Sequence, residues 1–383
     1  AGKTTFDLAV QAYRGHPVLT WWQAAPDEDV IANRAYRTLA VVKAADGYGT
    51  DPHDFLITPQ GTAWLMATRT VQADLSGLGG RTNGTIHDYV IQEVEIRTGR
   101  LVWQWDGYGH IPLRASYMPV PRVGPWDAFH LNSFQLLPDG NLLVCARNTW
   151  SVYKVSTRTG RIMWTLGGRE NQFKMGPGTR FEWQHDARLV GNRLTLFDDA
   201  SAPQEESQSS AKELLLQAGH RAVSLIHRYT HRPPLLSPAQ GSMQLLPNGN
   251  VFVGWGTEPD FSEYTPAGQQ ILTGSLALGT STYRAYRFPW TARPLTRPDV
   301  AVARAPHGRT TVWVSWNGAT SVSSWRVLGG ANPSHLRSLS TQPDRSFETR
   351  ITVNTRPGYV KVQALDAHGH LLPHGSSSAK AVG

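Results

Sequence analysis

The stretch His130–Val144, HLNSFQLLPDGNLLV, decides the fold. Two apolar runs flank its Pro-Asp-Gly segment, and an Asp-Gly pair tolerates the positive φ angles that a tight hairpin turn needs. Three other stretches repeat the pattern around a similar or shorter turn: His53–Met66, His185–Phe197 and Gly241–Gly256. The sequence therefore predicts a β-hairpin that recurs along the chain.

A second hairpin follows the first in several repeats: Val90–Trp105, Ser151–Gly168 and Phe261–Ser275. Two hairpins in succession make a four-stranded sheet, which is one blade of a β-propeller. The opening segment Leu8–Trp22 resembles half a blade, and Ser281–Trp290 could supply the strands that close the ring against it. We predict an all-β chain whose residues 1–296 form a propeller of six blades.

The pattern changes after the Pro-rich stretch WTARPLTRPD, so a domain boundary is predicted near Arg297. Residues 297–383 lack the two-hairpin repeat and are predicted to form a small β-sandwich that weakly resembles a fibronectin type III module. We assign this module to packing or substrate presentation, without a catalytic role. The one candidate helix lies around residues 209–219, in SAKELLLQAG.

Composition narrows the possible functions. The net charge is +8, but Arg and Lys are scattered, so a nucleic-acid partner is not expected, whereas an anionic ligand is permitted. Cys145 is the single cysteine, which excludes an intrachain disulfide and a zinc–thiolate site. No apolar run is long enough for a membrane span, and the first residues lack a signal peptide's apolar core. We expect a secreted monomer in its mature form, without membrane insertion.

Histidines mark the candidate site. In a propeller the first strand of each blade lines the central channel, so residues at the same end of these strands converge. His53, His130 and His185 each occur just before or at the start of such a strand. Asp54 and Asp186 directly follow two of them, and an acidic neighbour can orient an imidazole.

Other polar residues are expected to bind the substrate or an anion. Arg147 ends the second strand of the His130 hairpin and could hold a sulfate or carboxylate in two-pronged fashion. Asn132 lies two residues after His130, and Asp186, Ser242 and Arg284 complete the candidate set. His110 is a candidate rim residue, whereas the remaining histidines lack the repeat register and are expected in loops or at the surface.

A metal centre is an alternative for this histidine cluster, because three imidazoles and an aspartate could bind zinc or iron. The sequence has no close pair such as H-x-H or H-E-x-x-H, so each ligand would come from a different blade. We therefore expect neither a metal ion nor a cofactor.

Several long motifs in the same order resemble the arylsulfotransferase family of bacteria and fungi. The resemblance runs from about Asp7 to Pro294 and is nearer to the shorter branch of the family. The motifs are DPHDFLITPQGTA, HLNSFQLLPDGNLLV, ARNTWSVYKVSTRTGRIMWTLGG, FEWQHDARL, GSMQLLPNGNVFVGWG and SEYTPAG.

This resemblance implies a six-bladed propeller that moves a sulfuryl group from one phenol to another without a nucleotide donor, through a sulfated histidine. Matched by motif, His185 would be the nucleophile, while His53 and His130 would stabilise charge or move protons. Asn132 and Arg147 would bind the sulfuryl oxygens. The implied partners are small aryl sulfates and phenols.

Two other functions stay open. A lyase acting on uronate-containing glycans needs a group that neutralises a carboxylate, a base for the C5 proton and an acid for the leaving oxygen. Arg147 with Asn132 could supply the first and two histidines the others. A non-catalytic propeller that binds a ligand in the funnel is the third possibility.

Overall fold

A computed structural model describes residues 4–277 and 279–383 of the chain. Contacts divide it into two compact units. The first comprises the residues up to His16 together with Thr20–Ile31 and Ala40–Phe288. The second comprises Pro17–Leu19, Ala32–Leu39 and Pro289–Gly383. The predicted boundary at residues 296 and 297 stays a prediction.

The described residues contain five sheets, each built from strands that are consecutive in the sequence, in the region before Pro289. The first sheet contains β1 (Thr5–Tyr13), β2 (His16–Gln23), β3 (Glu28–Ala32) and β4 (Thr38–Val42). The second contains β5 (Gly49–Ile57), β6 (Thr62–Ala73), β7 (Gly84–Glu95) and β8 (Leu101–Asp106). The third contains β9 (Leu131–Leu136), β10 (Leu142–Ala146), β11 (Ser151–Val155) and β12 (Ile162–Gly167).

The fourth sheet carries an additional short strand. It contains β13 (Lys174–Met175), β14 (His185–Val190), β15 (Arg193–Asp198), β16 (Ser210–Gln217) and β17 (Ala222–Tyr229), and β13 pairs with β17 in parallel. The fifth sheet contains β18 (Ser242–Leu245), β19 (Val251–Gly254), β20 (Asp260–Tyr264) and β21 (Gln270–Ser275). Four short 3-10 segments complete this region: Ser76–Leu78, Leu113–Ala115, Arg147–Thr149 and Ala218–His220.

The innermost strands of successive sheets pack side by side around a common axis, which makes this unit a β-propeller. Strands β1, β5, β9, β14 and β18 contact one another in that order. Glutamine side chains join neighbours across the ring. The Gln135 amide donates to the carbonyl of Leu189 and accepts from its N–H, and Gln11 bonds β5 in a similar way.

The six blades that the sequence predicts are not confirmed, and the described residues before Pro289 form five sheets. The extended segment 283–288 takes a sixth innermost position. The side-chain amide of Gln244, in β18, donates to the carbonyl of Arg287 and accepts from its N–H. Phe6 of β1 packs edge-on against Tyr283. The stretch Ser281–Trp290 therefore contributes to ring closure, as expected, but with one segment instead of a full blade.

Apolar side chains fill the spaces between adjacent sheets, which is why these strands carry apolar residues on both faces. One cluster, including Ile91, Phe134 and Val144, lies between the second and third sheets. Strand β16 corrects the predicted helix: SAKELLLQ is a strand with seven of its eight residues buried or half-buried. Its residues favour helices intrinsically, but burial between neighbouring blades overrides that preference.

The second unit is a β-sandwich around one apolar core that includes Val312, Trp325 and Val362. One sheet has the order β22 (Asp299–Ala305), β23 (Arg309–Ser315), β26 (Glu348–Val353). The other has the order β25 (His335–Pro343), β24 (Ser324–Asn332), β27 (Tyr359–Leu365), β28 (Leu371–Ser376), and β29 (Lys380–Ala381) pairs with β27. Its likeness to fibronectin modules stays a prediction. Among the described residues, no helix has the length and apolar character that crossing a membrane requires.

Candidate active site

Three histidines from successive blades converge at one end of the propeller axis. One ring nitrogen from each of His53, His130 and His185 lies within 4.8 Å of one from each of the others. The side chain of His130 is 27% exposed, that of His53 12% and that of His185 2%. The predicted cluster therefore forms, and its members differ in depth from the solvent.

Each of the two more exposed rings, those of His53 and His130, has an aspartate carboxylate at its Nδ1 atom. Asp51 lies 2.6 Å from Nδ1 of His53 and also accepts from the backbone N–H of His53. Asp127 holds His130 in the same double manner, again at 2.6 Å. Burial alone would raise the pKa of Asp127, but the charge and hydrogen bond of His130 outweigh it and lower that pKa.

The third ring, His185, is held by Asp199, whose Oδ2 lies 2.8 Å from Nδ1. The backbone N–H of Gln240 donates to Nε2 of His185 at 3.3 Å. Because that donor fixes Nε2 as an acceptor, the ring proton belongs on Nδ1, facing the carboxylate. Burial lowers the pKa of His185 well below its usual value, and the charge of Arg147 lowers it further. His185 is therefore a neutral imidazole with its lone pair on Nε2.

Arg147 brings a guanidinium to the same end of the axis. Its backbone N–H donates to the carbonyl of His130 at 2.9 Å, and its side chain lies over the ring of Trp183, 4.9 Å from the centroid. Nη1 donates to Asn148 and Nη2 to the carbonyl of Pro238. The buried Nε atom has no hydrogen-bond partner among the residues that the structure describes, so it can donate to a ligand oxygen.

Residues 10–277 match the family model described as Arylsulfotransferase (ASST). The chain belongs to the arylsulfotransferase family. The matched region includes all three histidines, their aspartates and Arg147. No curated protein matches the chain.

Solved structures that resemble this arylsulfotransferase-family chain are distant. A Bacteroides caccae protein of unknown function has 13% identity and a TM-score of 0.43, over 72% of this chain and 82% of that one. Regucalcin from Agrobacterium tumefaciens has 11% identity and a TM-score of 0.43, over 82% and 85%. Virginiamycin B lyase from Staphylococcus aureus has 9% identity and a TM-score of 0.38, over 83% of each chain. Likeness at this level carries no inference about chemistry.

The polar residues next to the histidines are engaged elsewhere in this family member. Asn132 bonds the backbone of the next blade, donating to the carbonyl of Gln184 and accepting from the N–H of Asp186. Ser242 accepts from the N–H of Ala285 and donates to its carbonyl. Both side chains are buried and join innermost segments, and their predicted role in binding an anion stays a prediction.

Asp186 and Arg284 belong to a buried charge cluster that also contains Asp7, Asp54 and Arg188. Arg188 pairs with Asp186 at 2.7 Å and with Asp54 at 3.0 Å, and Arg284 pairs with Asp7 at 3.2 Å. The aspartates that follow His53 and His185 in the sequence therefore do not orient those rings, contrary to the expectation. Successive side chains of a strand point to opposite faces, so Asp51, two residues before His53 in β5, lies on the same face as that ring. His185 is held instead by Asp199, which follows the neighbouring strand β15.

The structure brings five further groups to the rings that the sequence did not indicate as site residues: Asp51, Asp127, Asp199, Tyr89 and the backbone N–H of Gln240. The Tyr89 hydroxyl lies 3.2 Å from Nδ1 of His130. The spacings Asp-x-His and Asp-x-x-His could have indicated Asp51 and Asp127. Asp199 follows strand β15 and gives no local signal. His110, the candidate rim residue, stacks on Trp105 and bonds the carbonyl of Asp106.

Proposed function

We propose that this protein is an aryl sulfate sulfotransferase that moves a sulfuryl group between phenols through His185, without a nucleotide donor. Its family membership supports a sulfotransferase acting on small aryl substrates. The observation that carries the proposal is the convergence of three imidazoles, each fixed by a carboxylate on Nδ1. Fixing Nδ1 leaves the other nitrogen of each ring for the reacting group.

In the first half-reaction the Nε2 lone pair of His185 attacks the sulfur of the aryl sulfate. An N–S bond forms, the S–O bond to the aryl group breaks, and the leaving phenolate takes a proton from His53 or His130. The second phenol then returns a proton to that histidine as its oxygen attacks the sulfur; the new O–S bond forms, the N–S bond breaks, and its electron pair returns to Nε2 of His185. A neutral imidazole suits the first role, and a general acid typically contributes about 10²–10⁴-fold in rate.

The surroundings of the three rings support this division of roles. Asp51 and Asp127 lie at Nδ1 of His53 and His130, which leaves the other nitrogen of each ring for proton transfer. Burial lowers the pKa of His185, so this ring stays neutral and keeps a lone pair for attack. The charge of Arg147, which acts on His185 from nearby, suits an anionic aryl sulfate.

Two donors are placed to bind the oxygens of the transferred group. The unpartnered Nε of Arg147 is one of them. The N–H of Gln240 is the other, because it already lies beside Nε2 of His185. When Nε2 bonds to sulfur, this N–H is released and can donate to a sulfuryl oxygen, where such fixed donors stabilise developing charge.

The test is a burst of phenol from a chromogenic aryl sulfate in the absence of an acceptor. The protein should release about one equivalent rapidly, and an added phenol should restore turnover. His185→Ala should abolish the burst, while His110→Ala, outside the cluster, should retain it. An undiminished burst in the His185 variant would refute the proposed nucleophile.

Glycan cleavage remains the alternative, but one of the groups assigned to it, the side chain of Asn132, already makes other hydrogen bonds. Asn132 was to neutralise the uronate with Arg147, and its side chain bonds the backbone between blades instead. A lyase would produce new ultraviolet absorbance from acidic glycans, and a sulfotransferase would not. Binding without either reaction would favour the non-catalytic alternative. Secretion, the monomeric state and a presentation role for the second unit also stay predictions.

A further inference from the structure

We propose that His53, His130 and His185 also form a binding site for one divalent transition-metal ion, with zinc as the principal candidate. This inference does not require sulfuryl transfer to be correct. It concerns a second occupant of the same three rings, and it makes metal binding and sulfation of His185 mutually exclusive, because both need the Nε2 lone pair.

The donor set is the first argument. Three neutral imidazoles with an open fourth position are the ligands of one class of catalytic zinc site. Histidines that bind zinc commonly donate their other ring N–H to a carboxylate, which fixes the tautomer and raises the basicity of the ligand. Asp51, Asp127 and Asp199 provide this arrangement for all three rings, at 2.6, 2.6 and 2.8 Å.

Distance is the second argument. The three ring nitrogens lie within 4.8 Å of one another. Zinc–nitrogen bonds of about 2.0–2.1 Å in a tetrahedral site bring two ligands to about 3.4 Å, so the rings must approach by about 1 Å. Small rotations of the side chains of His53 and His130, which are partly exposed, can supply this closure. His185 would give up only its long 3.3 Å hydrogen bond from Gln240.

The experiment titrates protein without an added histidine tag, stripped with a chelator, with Co²⁺ and then Zn²⁺. Tetrahedral Co²⁺ bound to nitrogen ligands has a visible absorption band, which reports binding without any catalytic assay. We expect one equivalent of Co²⁺ to bind and Zn²⁺ to displace it. His130→Asn should weaken binding at least about tenfold, and Asp127→Asn about 10–100-fold.

The matched control is His370→Asn. His370 also has an aspartate near Nδ1, Asp366 at 3.5 Å, but its side chain is 78% exposed, so its removal should change nothing. No cobalt band, or equal binding by the His130 variant, would overturn the proposal. His53→Asn repeats the test if the His130 variant does not fold.

The phenol burst separates the two proposals. Cobalt binding without any burst would support the metal site and refute sulfuryl transfer. A burst without cobalt binding would do the reverse. If both are correct, one equivalent of Zn²⁺ should abolish the burst and a chelator should restore it.

Discussion

Asp199 and His185 form a hydrogen bond of 2.8 Å between Oδ2 and Nδ1, with 0% and 2% of their side chains exposed. The carboxylate comes from the end of one strand and the imidazole from the start of its neighbour in the same sheet. Because this contact sets which ring nitrogen carries the proton, it determines whether Nε2 can act as a nucleophile.

Asp199→Asn should therefore slow the phenol burst about 10²–10⁴-fold, because an amide can donate to Nδ1 and favour the wrong tautomer. Binding of the aryl sulfate should change much less. Rapid-mixing measurement of burst rate against donor concentration separates the two effects. Asp366→Asn, which alters an exposed aspartate–histidine pair, is the matched control. An equal burst rate in the Asp199 variant would show that the contact does not prepare the nucleophile.

The sequence predicted the site to the extent that its signals are local. The recurring hairpin placed the three histidines at equivalent strand ends, and the structure brings them together. Asp199 gave no signal because its contact depends on pairing between two strands. The binding role of Asn132 stays a prediction, because a buried polar residue that bonds the next blade looks the same in sequence as one that binds a ligand.

The fold was predictable for a similar reason and to a similar extent. Turn residues such as Gly140, at φ 78°, marked the hairpins. The blade number stays a prediction, because segment 283–288 forms no strand and joins β18 through side-chain bonds from Gln244. Strand β16 was predicted as a helix because helical and strand periods cannot be distinguished in a short segment that is apolar on both faces.

Gln244→Ala should destabilise the propeller if segment 283–288 closes the ring as a sixth innermost element. The variant loses two exposed hydrogen bonds to the backbone of Arg287, so the free energy of unfolding in urea should fall by about 0.5–1.5 kcal/mol. Gln135→Ala removes the same pair of hydrogen bonds between two complete sheets, where they are half-buried, and should cost more. A negligible effect at Gln244 beside a large one at Gln135 would contradict the closing role.

Asp7 should make stability depend on pH. Burial raises its pKa to about 7, against the opposing charge of Arg284. The unfolded chain loses this proton near the usual pKa of 3.8, so the folded state binds it more tightly. The contribution is fully present below about pH 4 and is lost as the pH rises through about 7.

Asp7→Asn should therefore reduce the fall in unfolding free energy between about pH 4 and pH 8. At pH 8 it should be more stable than the natural chain by no more than about 4 kcal/mol. Arg284 keeps Asp54 as a partner in this variant. Asp74→Asn, at an exposed carboxyl, should leave the fall in place. Urea unfolding at several pH values tests this, and an unchanged pH profile in the Asp7 variant would disprove the assignment.

Arg147→Lys should weaken the reaction although it keeps the positive charge. The guanidinium is anchored through Nη1 and Nη2 to Asn148 and Pro238, which aims the unpartnered Nε. A lysine cannot reproduce that planar set of donors. Loss of one fixed donor to developing charge typically costs about 10²–10³-fold in rate.

The burst rate of the Arg147→Lys variant should fall by this amount, and Arg147→Met should lower affinity for the aryl sulfate as well. Arg114→Met, at an exposed arginine paired with Glu170, is the control. A burst in Arg147→Lys as fast as in the natural chain would mean that only the charge matters. The sulfuryl oxygens would then depend on Gln240 and on the rings of His53 and His130 for their directed hydrogen bonds.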